Sequence, residues 1–209
     1  MKLSEILRPL RDEIDDDDRV REKTLPLSRN AVRACSEAIK LIHRRQFDEA
    51  ESLISEASKT IQQAHSEMTG SDFISKTKSL DVAYQELTEA SNLLSIIKRG
   101  EFTSPDAYNI PVRPYLTGLA DTVGELRRAS LDLLRNDDLG QAEKLLAFME
   151  EILEELQTFD YPNALVPDLR RKCDVARSLI ERTRGDLTRA VGQSKIISKM
   201  EGLEKKLKE

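Results

Sequence analysis

The sequence predicts an all-α protein, a bundle of about six to seven long antiparallel helices. Apolar residues recur at alternating steps of three and four, the period of a helix packed along one face. The composition is 39% hydrophobic and 34% charged with only 4% aromatic, a balance that suits solvated helices better than a sandwich or a disordered chain. Gly and Pro are scarce, 8 and 7 in 209 residues, so breaks are few and legible.

The first long helix is expected to start at Asp15 to Asp18, which offer N-cap side chains and the negative charge that a helix N-terminus favours. Pro26 is expected to kink or divide it. From Phe47 the apolar positions run Phe47, Ala50, Ile54, Ala57, Ile61, Ala64 and Met68. Gly70-Ser71-Asp72 then reads as a stop and a cap. Leu80, Tyr84, Leu87, Ser91 and Leu94 continue the rhythm, and Gly100 through Pro114, with Pro105 and Pro111, reads as a connecting loop. Leu116, Leu119, Val123, Leu126, Ser130 and Leu133 form the next seam; Asn136-Asp137-Asp138 caps the one after it, Leu139, Ala142, Leu146, Met149, Leu153 and Leu156. Asp160 to Asn163 ends that helix. Gly185 and Gly192 weaken the last stretch, and its Lys-rich end is expected to fray. This gives six substantial helices with short pieces at the two ends, in a single domain spanning 1–209 whose residues 186–209 form a C-terminal helical extension. Similar segments at Phe47–Glu51 and Leu139–Glu143 resemble tetratricopeptide helices but lack the 34-residue period of a solenoid.

No run approaches the 18 or so apolar residues of a membrane span, and the start lacks a signal-peptide core. The chain is therefore expected to be cytoplasmic, away from membranes, with Cys35 and Cys173 as buried reduced thiols. A net charge of −5 argues against a surface coated for nucleic acid, so any such binding needs a local basic patch.

Two pairs of acids flank the Pro-rich loop. Glu86 and Glu89 lie three apart; Asp121 and Glu125 lie four apart, so each pair shares one face of its helix. Both pairs point roughly opposite the apolar seams, where acids are usually a solvated face. In an antiparallel hairpin turning near Pro105, however, all four would lie within about one helical turn in height. Gathered carboxylates repel unless a cation neutralises them, and oxygen-only donors suit Mg²⁺ or Mn²⁺. The Glu-x-x-His motif of di-iron bundles is absent, since Lys40 and Gln62 stand three residues before the only histidines, His43 and His65.

On the first long helix Arg29, Arg33, Lys40 and Arg44 fall within about 60° of one another, a stripe roughly 22 Å long that could meet successive phosphates. Arg170, Arg177 and Arg184 add a heptad-spaced set near the C-terminus. The plainer reading of such stripes is a solvated face balanced by acids.

The stretch from Tyr115 to Arg128, YLTGLADTVGELRR, resembles the Y-L-x-G-x-A-D-x-x-G-E-L-x-R segment of the translin superfamily, in the branch called translin-associated factor X. Glu86-Leu87-Thr88-Glu89 resembles that branch's upstream E-x-x-E pair, and Leu27-Ser28-Arg29 and Ile42-His43-Arg44 resemble marks on its first long helix. The resemblance runs from about Leu3 to Gly185. It implies an all-helical fold that assembles into hollow barrels, often octamers, around RNA. It further implies a Mg²⁺-dependent (or Mn²⁺-dependent) endoribonuclease site made by Glu86, Glu89, Asp121 and Glu125. The stripe of Arg29, Arg33, Lys40 and Arg44 is then the candidate contact with the backbone of a single-stranded or short duplex RNA. The loop at 100–114 departs from animal members, which carry long insertions there; this compactness suggests an archaeal-type homo-oligomer. The competing expectation is a non-catalytic helical RNA- or DNA-binding or assembly protein whose acids are only a solvated face.

Overall fold

The computed structural model describes residues 2–68 and 78–208. Among them run six α-helices: α1 (Leu3–His43), α2 (Phe47–Glu67), α3 (Asp81–Arg99), α4 (Val112–Arg135), α5 (Leu139–Gln157) and α6 (Leu169–Lys208), with a 3₁₀ turn at Pro105–Ala107. The fold is all-α, as expected. The stop and cap at Gly70-Ser71-Asp72 lie outside the described residues. No helix among them is long and apolar enough to cross a membrane.

The ends differ from expectation. Helix α1 runs unbroken for 41 residues with Pro9 and Pro26 inside it, so there is no separate N-terminal piece and no helix start at Asp15. The chain enters at Lys2, whose backbone N–H donates to the Glu5 carboxylate at 3.0 Å, satisfying one of the orphan donors of a helix N-terminus. Asp16 and Asp18 instead pair with Arg19 and Arg21 at 2.6 and 3.4 Å on the exposed helix surface. Beyond Pro26, packing holds the helix. Thr24, Ser28, Ala31, Cys35, Ala38, Ile39 and Ile42 form a buried face of mostly small residues, which lets α2 and α3 lie close against it. Helix α6 likewise runs through Gly185 and Gly192 to Lys208.

By packing, the chain divides inside α4 into two compact units, Met1–Gly118 and Leu119–Glu209. In the first, α1, α2 and α3 pack on one another. Ala50, Ile54, Ala57, Ile61, Ala64 and Met68 of the α2 seam are all buried, each isoleucine contributing roughly 1.5–3 kcal/mol. In the second, α5 packs along α6; Ala142, Leu146, Met149, Leu153 and Leu156 of α5 are buried, as are Leu169, Cys173, Ala176, Ile180 and Leu187 of α6. Asp138 caps α5, its carboxylate accepting the Gln141 N–H at 3.1 Å. Both cysteines are free and buried.

The loop between α3 and α4 is shorter than Gly100 to Pro114, because α4 begins at Val112. Pro114 falls in its first turn, where a missing N–H costs nothing. Gly100 closes α3 in the left-handed conformation at φ 73°, its N–H bonded to Ile96 O at 2.9 Å.

Candidate active site

Helix α3 is buried almost all round. Besides Tyr84, Leu87 and Leu94, its small and polar residues Ala83, Thr88, Ala90, Ser91, Asn92 and Ser95 are also buried. The carboxylates on it are therefore not a solvated face; Glu86 and Glu89 are half-buried. The sequence pattern counted only the seam Leu80, Tyr84, Leu87, Ser91 and Leu94, left out Ala83, Thr88, Ala90, Asn92 and Ser95, and so made the buried arc too narrow. Glu86 and Glu89 stand close to Cys35 of α1. Burial, then the charges of Glu86 and Glu89, push the Cys35 thiol up to about 12, so it stays protonated and inert across the neutral range.

The start of α4 is fixed against α3 by three features. Gln85 Nε2 donates to Thr117 Oγ1 at 2.6 Å. Gly118 lies so close to α3 that a Cβ there would stand 2.6 Å from Gln85 O and 2.7 Å from Thr88 Cβ. The loop is tied down at Thr103, whose N–H donates to Asn92 Oδ1 at 3.0 Å, whose hydroxyl donates to Ser91 O, and whose carbonyl accepts the Tyr115 hydroxyl at 2.7 Å. Asn92 is itself fully buried and donates to Thr88 O. Gly118 level with Gln85 and Thr88 puts the turn of this hairpin two or three residues before Pro105.

In the second unit Asp121 and Glu125 are also half-buried. The Asp121 carboxylate receives the Lys172 ammonium on both oxygens, at 2.7 and 2.5 Å, and that lysine side chain is only 17% exposed. Glu125 faces Arg128 at 3.6 Å. Arg127 donates to Thr183 Oγ1 at 2.8 Å and to Asp186 at 2.9 Å. Lys172 and Arg127 escaped the sequence reading. For Lys172 a signal existed: it stands three after Leu169 and four before Ala176, both buried, and so on the inward side of α6.

Among the described residues no group of three or more His, Cys, Asp or Glu side chains is gathered to hold a metal ion. The donors that are present, two pairs of half-buried carboxylates, are all oxygen. Mg²⁺ usually keeps several waters and takes only one or two carboxylates together with substrate phosphate. The chemistry of the donor set therefore fits that ion.

The basic residues divide into two kinds. Arg29, Arg33, Lys40 and Arg44 are all exposed; Arg33 donates to Asn30, and Lys40 to Glu37 at 3.0 Å. Arg170, Arg177 and Arg184 each pair with an acid, Asp160 at 3.0 Å, Asp174 at 2.8 Å and Glu150 at 2.6 Å. All three of the second set are thus in ion pairs, whereas in the first set Lys40 pairs with the acid Glu37. Arg170 and Arg177 also rim a cleft of about 520 Å³ with Leu156, Phe159, Tyr161 and Cys173.

The model of the translin family matches residues 2–183. The chain belongs to the translin family. An uncharacterized protein from Methanocaldococcus jannaschii is 36% identical over 181 residues, 86% of this chain and 80% of that protein. The solved structure of AfC3PO, alone and in a complex with duplex RNA, is 34% identical and superposes with a TM-score of 0.79, covering 90% of this chain and 97% of that one. Apo-NeC3PO, at 21% identity and a TM-score of 0.78, shares the translin-family fold.

Proposed function

We propose that this translin-family chain is a Mg²⁺-dependent endoribonuclease subunit that hydrolyses RNA phosphodiester bonds inside a homo-oligomeric barrel, of eight copies by the family resemblance. The observation that carries the catalytic part is that Glu86, Glu89, Asp121 and Glu125 are all half-buried. Carboxylates withdrawn from water favour cations beside them; Asp121 already takes the Lys172 ammonium and Glu125 the Arg128 guanidinium, and the metal is proposed as a further cation for the set. RNA as partner is supported by AfC3PO having been solved with duplex RNA.

By the family resemblance Glu86, Glu89, Asp121 and Glu125 would hold the metal, directly or through water. When bound, Mg²⁺ supplies Lewis-acid stabilisation of charge at phosphorus and lowers the pKa of a hydrolytic water. The carboxylates orient that water and accept its proton. Lys172 fixes the Asp121 carboxylate in direction before the substrate arrives. Arg29, Arg33, Lys40 and Arg44 track the RNA backbone. Hydrolysis by water leaves a 5′-phosphate and a 3′-hydroxyl.

Incubating the purified protein with labelled RNA, with Mg²⁺ and with chelator, tests the proposal: Mg²⁺-dependent cleavage with 5′-phosphate products is expected. Binding without cleavage in either condition would favour the non-catalytic alternative. Reversing charge at Arg33 and Lys40 is expected to weaken RNA binding and to reduce its salt slope by about one for every phosphate no longer neutralised. An unchanged slope assigns the stripe to solvated surface. Light scattering at micromolar concentration should give a mass several times the 23.7 kDa of one chain; a monomer would rule out the barrel.

A further inference from the structure

The two ends of the chain carry apolar stripes with no cover. At the start of α1, Leu3, Leu7, Leu10 and Ile14 recur at steps of four, three and four; at the end of α6, Ile196, Met200, Leu203 and Leu207 recur at the same steps. These eight side chains are 43–85% exposed. Each set makes an a/d seam about 16 Å long at 1.5 Å per residue, the length of two short heptads. Charge differs in sign between them. Residues 3–18 hold seven acids against two arginines, and residues 195–208 hold five lysines against two glutamates. The second stripe also lies beyond the family match, which ends at residue 183.

We infer that the C-terminal arm of one copy docks on the N-terminal arm of a second copy as a short antiparallel coiled coil. This inference is independent of the catalytic reading. The antiparallel register matches every layer: Leu3 with Leu207, Leu7 with Leu203, Leu10 with Met200, Ile14 with Ile196. It sets Glu13 beside Lys199, whereas a parallel pairing sets Lys199 beside Arg11, two like charges. Pairing like arms instead, N with N or C with C, brings together stretches of one charge sign and is disfavoured for the same reason. A two-helix contact this short is marginal in isolation. Carried on subunits that already associate, it forms at the high effective concentration of a tethered pair, and each copy offers both halves, so the contact repeats from subunit to subunit.

The test uses the full chain. Two differently tagged copies are co-expressed, one carrying Leu7→Cys and the other Leu203→Cys, and mild oxidation follows; the native thiols are buried and contribute little background. A disulfide joining the two tags is expected, at about tenfold higher yield than for Ile14→Cys with Leu203→Cys, whose positions lie seven residues out of register, roughly 10 Å. The yield should fall in high salt, which screens the opposite charges. Absence of the cross-link overturns the proposal. So does an equal yield from the out-of-register pair, a dominant Leu203→Cys disulfide between identical arms, or a purely intrachain disulfide in the Leu7→Cys, Leu203→Cys double variant.

Discussion

Asp121→Asn and Glu125→Gln are expected to lower Mg²⁺-dependent RNA cleavage by about two to three orders of magnitude or more, because ligand loss removes both the activated water and the charge stabilisation at phosphorus. RNA binding should persist or strengthen, since negative charge that would face phosphates has gone. The two variants should part company in stability. Glu125 faces a largely exposed arginine, so its neutralisation should change the melting temperature little. Asp121 neutralises an ammonium that is 17% exposed, so Asp121→Asn should cost about 1–2 kcal/mol, between an exposed pair and a buried one. Adding Lys172→Met to Asp121→Asn should recover that stability and not the cleavage. Joining Glu89→Gln to Asp121→Asn should cost little more activity than the worse single change, as expected of groups acting as a unit. Glu143→Gln, on exposed surface of α5, is the control. Full cleavage by the Asp121 and Glu125 variants would remove these carboxylates from the active site.

Gly118→Ala is expected to destabilise the protein by about 2–3 kcal/mol, near the upper end for overpacking, lowering its melting temperature by about 5–10 °C. The new Cβ would meet Gln85 O at 2.6 Å and Thr88 Cβ at 2.7 Å, neither of which is the tip of a flexible side chain. Relief therefore requires α3 and the first turns of α4 to separate, which breaks the Gln85–Thr117 bond. Gly124→Ala provides the contrast within the same helix. Its nearest neighbour is Leu179 Cδ1 at 3.9 Å, ordinary contact, so the gain in helix propensity should leave stability unchanged or raise it by up to about 1 kcal/mol. Equal melting temperatures for Gly118→Ala and the parent would show that the two helices are not held at this separation.

Much of the fold was legible because large apolar residues at helical spacing have one economical destination. The α2 and α5 seams, the Asp138 cap and the buried thiols all follow from that pattern. Misreadings arose where small residues or long-range partners decide. Ala83, Thr88, Ala90 and Ser95 widened the buried arc of α3, turning an apparent solvated face into a half-buried acidic one. Asp15 to Asp18 offer the caps and charge of a helix start, yet a helix already under way from Leu3 takes them in, with Asp16 and Asp18 in surface pairs. Lys172 stands 51 residues from Asp121, and no local pattern links the two; only its place on the inward side of α6 hinted at a partner. For the basic residues of α6 the plainer reading, a solvated face balanced by acids, agrees with the pairs they make with Asp160, Asp174 and Glu150.

The anchoring of the α3–α4 connection has a consequence for how the protein can be lengthened. Thr103 is fixed to both helices, and at the other side Ile110 donates its N–H to Pro105 O at 2.9 Å. Residues 106–109 thus form a small bight whose neck is already closed. Extra sequence spliced there begins and ends at the same closed neck, and each doubling of such a loop costs only about 0.6 kcal/mol. A peptide tag or a small autonomous domain inserted between Asp106 and Asn109 should leave both helices folded, whereas the same insertion two or three residues earlier would pull Thr103 from Asn92 and Tyr115. The exposed side chains of Asp106, Ala107 and Asn109 mark the site where length is free to vary during evolution or in engineering.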